Sequence, residues 1–133
     1  MASIAASIAR IKRDARADAL GAVGRDAVEQ VCDELGVSPK GKKCVGMEGL
    51  LKEGSELIKE KPEPDVLDAG LIAAAQHVEH YEMAGYGCCR TYARQLGYES
   101  QAEMLQATLD EEGNADKILT NIAESSINIE AEV

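Results

Sequence analysis

Aromatic residues are scarce in this chain, which has four Tyr but neither Phe nor Trp among its 133 residues. β-Sandwiches and barrels depend on aromatic and β-branched side chains, so this scarcity argues against an all-β fold. No apolar run approaches the ~18 residues that a transmembrane helix needs. Four Cys are too few for a disulfide scaffold of this length.

The residues that are abundant favour helices and an acidic surface. Ala, Leu and Glu are good helix formers, and apolar residues make up 45% of the chain, enough for the core of one domain over residues 1–133. The net charge of −10 disfavours nucleic acid and anionic membrane surfaces as partners. Residues 1–43 carry 8 basic and 6 acidic side chains, whereas residues 44–133 carry 6 and 18. The acidic excess therefore lies in the last two thirds.

The amino-terminal stretch has the spacing of a helix. Ile4, Ile8 and Ile11 fall on one helical face. Arg10 and Lys12 interrupt the apolar run that a secretory signal requires. We therefore expect a cytoplasmic protein whose cysteines are reduced thiols.

Glycine and proline divide the helical pattern into four segments. The predicted helices are 3–35, 45–60, 65–96 and 100–123. Gly36 follows the first helix at the position where a left-handed residue is favoured, and Gly97 ends the third. Pro62 and Pro64 break the chain between the second and third helices, because each proline keeps its predecessor extended.

The last two predicted helices form an antiparallel hairpin, because only a few residues connect them. Ser100 and Glu103 have the spacing of a capping box, which predicts that the last helix starts at Ser100. Residues 124–133 are expected to be a frayed tail. The fold class is therefore all-α, with a long hairpin in the carboxyl-terminal half.

Acidic residues interrupt the apolar stripes of this hairpin. Glu112 and Asp116 stand in the middle of the stripe of the last helix, and Glu82 stands in that of the third, with Glu79 one turn earlier. Pairing the helices about Tyr98 brings the four carboxylates to one level. Buried charges pair or bind metal, so this arrangement fits a di-metal carboxylate site in a bundle. The alternative is a solvated face, or acids paired with an arginine such as Arg90.

The third helix also resembles a known family. The clearest stretch is 68–82, DAGLIAAAQHVEHYE, and the similarity continues through Tyr86-Gly87 and Arg90-Thr91-Tyr92-Ala93. Thr108 to Glu112, Ala115 to Lys117 and Pro39 to Cys44 match as well. These residues are similar to those of the YciE/YciF proteins over about residues 29–125. The resemblance implies a ferritin-like antiparallel helical bundle.

The resemblance also implies a ligand set for iron or manganese. The ligands would be Glu79, Glu82, Glu112 (with Glu111 as the competing candidate) and Asp116. Such proteins are expected to supply further ligands from two earlier helices, whose positions fall here near Leu20 and Gly24. Neither residue binds metal, so residues 1–28 are an atypical or truncated first half. A homodimer of two facing hairpins would rebuild a four-helix bundle.

Two functions follow, and the sequence leaves open whether the chain is an enzyme. The first is a ferritin-like, stress-related metal-binding protein with a di-iron or di-manganese site and ferroxidase or peroxide-consuming chemistry. The second is an inactive helical bundle that acts as an assembly or interaction module. The acids of the hairpin favour the first, and the missing first-half ligands favour the second.

Overall fold

The regular structure of the described residues is helical throughout. A computed structural model describes residues 22–132, and no strand occurs in that range. The helices are α1 (Ala22–Glu34), α2 (Val45–Glu60), α3 (Pro64–Gln95) and α4 (Glu99–Ile122), followed by a π-helical turn (Ala123–Ile127) and the short α5 (Asn128–Glu130). This confirms the predicted all-α class. The predicted helical stripe before residue 22 lies outside the described residues.

Several helix ends fall at the glycine and proline residues predicted to end or begin helices. Gly36 and Gly97 adopt positive φ angles of 67° and 81°, a conformation that glycine reaches without a Cβ penalty. Pro64 occupies the start of α3, where its missing N–H costs no helical hydrogen bond. Local chemistry therefore defines the ends of α1 and α3 and the start of α3.

The start of α4 differs from the predicted capping box. The helix begins at Glu99 with Tyr98 at the N-cap position, and no side chain caps it. The Tyr98 N–H donates to the Ala93 carbonyl at 2.9 Å, which closes the turn around Gly97. Ser100 therefore lies inside the first helical turn, and its prediction as the N-cap is wrong.

α3 and α4 pack as the predicted antiparallel hairpin. Arg90 Nη1 donates to Gln106 Oε1 at 2.6 Å, and Gln76 Nε2 donates to Thr120 Oγ1 at 2.8 Å. Within each pair, the two residues are equally far from Tyr98 along the chain. The hairpin therefore has the register expected from its short connection.

α2 lies on the opposite side of α3 from α4. Leu57 packs so closely over Gly70 that a Cβ there would stand 2.5 Å from a Leu57 methyl carbon. Beside this contact, the apolar core groups residues of α3 with the end of the chain: Leu71, Ile72, Ala123 and Ile127. α2 and the carboxyl terminus together bury the first half of α3.

The segment predicted as a frayed tail contributes to this core. Residues 124–130 are helical, and Ile127 is only 1% exposed. The π-helical turn continues the stripe of α4 from Ala123 to Ile127, so both side chains face the core. Burial of Ile127 holds the end of the described chain against α3.

α1 packs against the hairpin near its turn. The Gln101 amide donates a hydrogen bond to a carboxylate oxygen of Glu34. Val31 and Leu35 line one side of an apolar groove whose other side includes Leu96 and Leu105. No helix within residues 22–132 is both long and apolar enough to span a membrane.

Candidate metal centre

Three carboxylates meet between α3 and α4. Glu79 and Glu82 come from α3 and Glu112 from α4, and one oxygen of each lies within 4.8 Å of the other two. Glu79 and Glu112 are only 5% and 6% exposed. The hairpin register brings them together, because Glu112 stands opposite the turn that carries the two α3 acids.

Two oxygens of these carboxylates lack a hydrogen-bond partner. Glu79 Oε2 and Glu82 Oε2 are buried and accept no hydrogen bond. Among residues 27–132, no ion pair to a lysine or arginine reaches the three acids. Arg90, considered as a partner from the sequence, instead donates to Gln106. A buried charge without a partner is costly, so the cluster must hold protons or bind a cation.

The pKa values of the two α3 acids reflect this environment. Burial, followed by the hydrogen bond to Glu112 and the negative charges nearby, raises the pKa of Glu79 to about 9. Burial and the charge of Glu112 raise the pKa of Glu82 to about 7. At neutral pH in the absence of metal, the Glu79 carboxyl therefore keeps its proton, and its O–H donates a hydrogen bond to the Glu112 carboxylate. A divalent cation would replace this proton.

Asp116, the fourth predicted ligand, lies one turn further along α4 in a different set of contacts. Its Oδ1 accepts a hydrogen bond from Gln76 Nε2 at 2.9 Å and lies 3.1 Å from His80 Nε2. It does not belong to the group whose oxygens lie within 4.8 Å of one another. Its negative charge still contributes to the raised pKa of Glu79. Its role as a ligand stays a prediction.

Gln76 is the residue that the sequence reasoning missed. It donates to both Asp116 and Thr120, so it ties the α3 stripe to α4 beside the cluster. The available signal was its spacing, because Gln76 precedes His80 by one helical turn and shares its face. Glu111, the competing candidate for Glu112, is exposed to solvent.

Tyr86 is half-buried near the cluster. Burial and the negative charges of Glu82 and Glu112 raise the pKa of its phenol. The phenol therefore stays protonated at physiological pH. Together with the three acids, it gives the site a polar lining within an otherwise apolar hairpin.

The helical bundle fits the class of ferritin-like proteins, in which carboxylates project inward from facing helices. Residues 22–132 match the family described as "Domain of unknown function (DUF892)". The chain belongs to this family, that of the YciE/YciF proteins. A bacterial relative is similar to this chain in both sequence and fold.

The relative is the protein YciF of Escherichia coli (strain K12). It is 46% identical over 108 residues, which cover 80% of this chain and 65% of YciF. The crystal structure of the E. coli stress protein YciF matches with a TM-score of 0.73 at 46% identity, covering 77% of this chain and 65% of that one. This chain thus spans slightly less than two thirds of the length of YciF.

Proposed function

We propose that this protein is a ferritin-like, stress-related protein that binds iron or manganese through Glu79, Glu82 and Glu112. The observation that carries the proposal is the pair of buried carboxylate oxygens on Glu79 and Glu82 that have no hydrogen-bond partner. Its relation to stress rests on the similarity to YciF, which is described as a stress protein.

The donor set suits a hard or intermediate divalent cation. All three side chains offer oxygen, which favours manganese or iron over the metals preferred by thiolates. Bound iron would supply the capacity to oxidise Fe(II) with dioxygen or peroxide, and Fe(II) would then be the substrate. The chain's own acids would hold the ion, and the burial of Glu79 and Glu112 would limit the access of water.

Electrostatics also support cation binding. The three acids repel one another in a poorly solvated site, and that repulsion contributes to the raised pKa values of Glu79 and Glu82. A divalent cation converts this repulsion into attraction and satisfies the unpartnered oxygens. Binding should therefore stabilise the folded state, since the unfolded chain does not assemble the three carboxylates.

Metal content per chain tests the proposal. Full-length protein is reconstituted anaerobically with Fe(II) or Mn(II), desalted and measured by plasma mass spectrometry. We expect the protein to retain metal stoichiometrically and Glu112→Gln to lose it. Glu111→Gln is the matched control, because the adjacent acid is exposed and should leave metal binding unchanged.

The absence of retained metal in the unsubstituted protein would support the second function, an inactive helical module. The positions near Leu20 and Gly24, where the resemblance places further ligands, carry no metal-binding group, which favours that alternative. A homodimer and a cytoplasmic location stay predictions from the sequence. Sedimentation at several concentrations measures the oligomeric state.

A further inference from the structure

We infer that this chain binds one divalent cation rather than a pair, and that Gln76 and His80 hold Asp116 away from it. The inference rests on the proposed metal binding. It departs from the di-metal site expected from the sequence. Three observations carry it: the size of the carboxylate cluster, the supply of donors around it, and the contacts of Asp116.

The size of the cluster suits a single ion. Two oxygens that bind the same small divalent cation at about 2.1 Å are at most ~4.2 Å apart. The three oxygens of Glu79, Glu82 and Glu112 all lie within 4.8 Å of one another, close to this limit. Two ions lie roughly 3.5–4 Å apart in di-metal sites. A pair of ions therefore needs further donors on the side of each ion that faces away from the other.

Within the described part of the chain, no further donor joins the cluster. Glu79, Glu82 and Glu112 form the group of His, Cys, Asp or Glu side chains there whose ligand atoms lie within 4.8 Å of one another. No fourth such side chain belongs to this group.

Asp116 is held by contacts that compete with coordination. Gln76 bridges Asp116 Oδ1 and Thr120 Oγ1, with distances of 2.9 Å and 2.8 Å. His80 approaches the same Asp116 oxygen at 3.1 Å. Because both contacts are made to Oδ1, turning this oxygen toward the cluster would break both of them. Gln76 and His80 therefore act as positioning residues that keep this carboxylate outside the coordination sphere.

The first experiment measures stoichiometry and nuclearity with Mn(II). Metal-free full-length protein is titrated, and electron paramagnetic resonance is recorded at each addition beside sedimentation. We expect one Mn(II) per chain, with the hyperfine-split spectrum of an isolated ion. A spin-coupled spectrum, or two ions per chain, would overturn the inference while leaving metal binding intact. No binding would overturn the proposed function itself.

Substitutions separate ligand from positioning residue. Glu112→Gln should weaken Mn(II) binding at least tenfold, whereas Asp116→Asn should change it less than threefold. Gln76→Leu keeps the volume of the side chain but frees Asp116, so binding should tighten threefold to tenfold. Adding Asp116→Asn to Gln76→Leu should abolish that gain.

The same variants can contradict the inference. A tenfold loss in Asp116→Asn would make Asp116 a ligand. Weaker binding in Gln76→Leu would mean that Gln76 supports the site rather than restrains Asp116. Weaker binding in Asp26→Asn would add an acid of α1 to the ligands and contradict the single ion. Thermal denaturation of each metal-free variant shows that it is folded before its affinity is compared.

Discussion

Replacing Glu79 by glutamine should stabilise the metal-free protein while abolishing its stabilisation by metal. Burial and the neighbouring acids raise the pKa of Glu79 to about 9, from an ordinary value near 4.5. Between these values the folded state binds more protons than the unfolded state, so stability falls as pH rises. The isosteric glutamine has no charge to bury and removes this loss.

The expected gain in the free energy of unfolding follows from the difference between the solution pH and the pKa of Glu79 in the unfolded chain. At pH 7.5, about three pH units separate the solution from the unfolded pKa, and each unit corresponds to about 1.36 kcal/mol. The upper limit is therefore about 4 kcal/mol, and we expect Glu79→Gln to gain about 1–4 kcal/mol. At about 4 °C per kcal/mol for a domain of this size, Tm should rise by ~4–16 °C.

Thermal denaturation followed by circular dichroism, in chelator, measures this gain at pH 5, 7.5 and 9. The gain should shrink toward pH 4.5, because both states then bind the proton. Glu111→Gln is the control, since this neighbour is exposed and its substitution should leave Tm nearly unchanged. A Tm for Glu79→Gln at or below that of the unsubstituted protein at pH 7.5 would refute the burial argument.

Three further predictions concern the terminus, α2 and the metal. Ile127→Ala should lower the free energy of unfolding, measured with denaturant, by about 2–4 kcal/mol, because Ile127 is 1% exposed. The control Ile129→Ala, at a 62% exposed position, should change it by no more than about 0.5 kcal/mol. Equal effects would mean that the terminus does not pack. Gly49→Ala should gain about 0.5–1 kcal/mol in an open helix position. Gly46→Ala should gain less, since its Cβ would stand 2.6 Å from the Tyr81 hydroxyl, and an equal gain would show that Tyr81 moves at no cost. Calorimetric Mn(II) affinity should rise with pH up to about 9, because the cation displaces the proton of the cluster, and a flat profile would contradict that exchange.

The sequence by itself determined the helices and the level of the acids. Gly36, Gly97 and Pro64 act through backbone geometry that depends on each residue alone, so these helix ends could be predicted. The short connection at Gly97 leaves the hairpin little freedom of register. The meeting of Glu79 and Glu82 with Glu112 followed from that register and from helical periodicity.

Only the tertiary structure decided which acids form the cluster and that the segment around Ile127 packs into the core. Asp116 shares the stripe of Glu112, and its separate contacts depend on the length and placement of Gln76 and His80 on another helix. The burial of Ile127 likewise depends on the space left beside Leu71 and Ile72. Such outcomes arise from side-chain packing between distant segments, which periodicity along one helix does not encode.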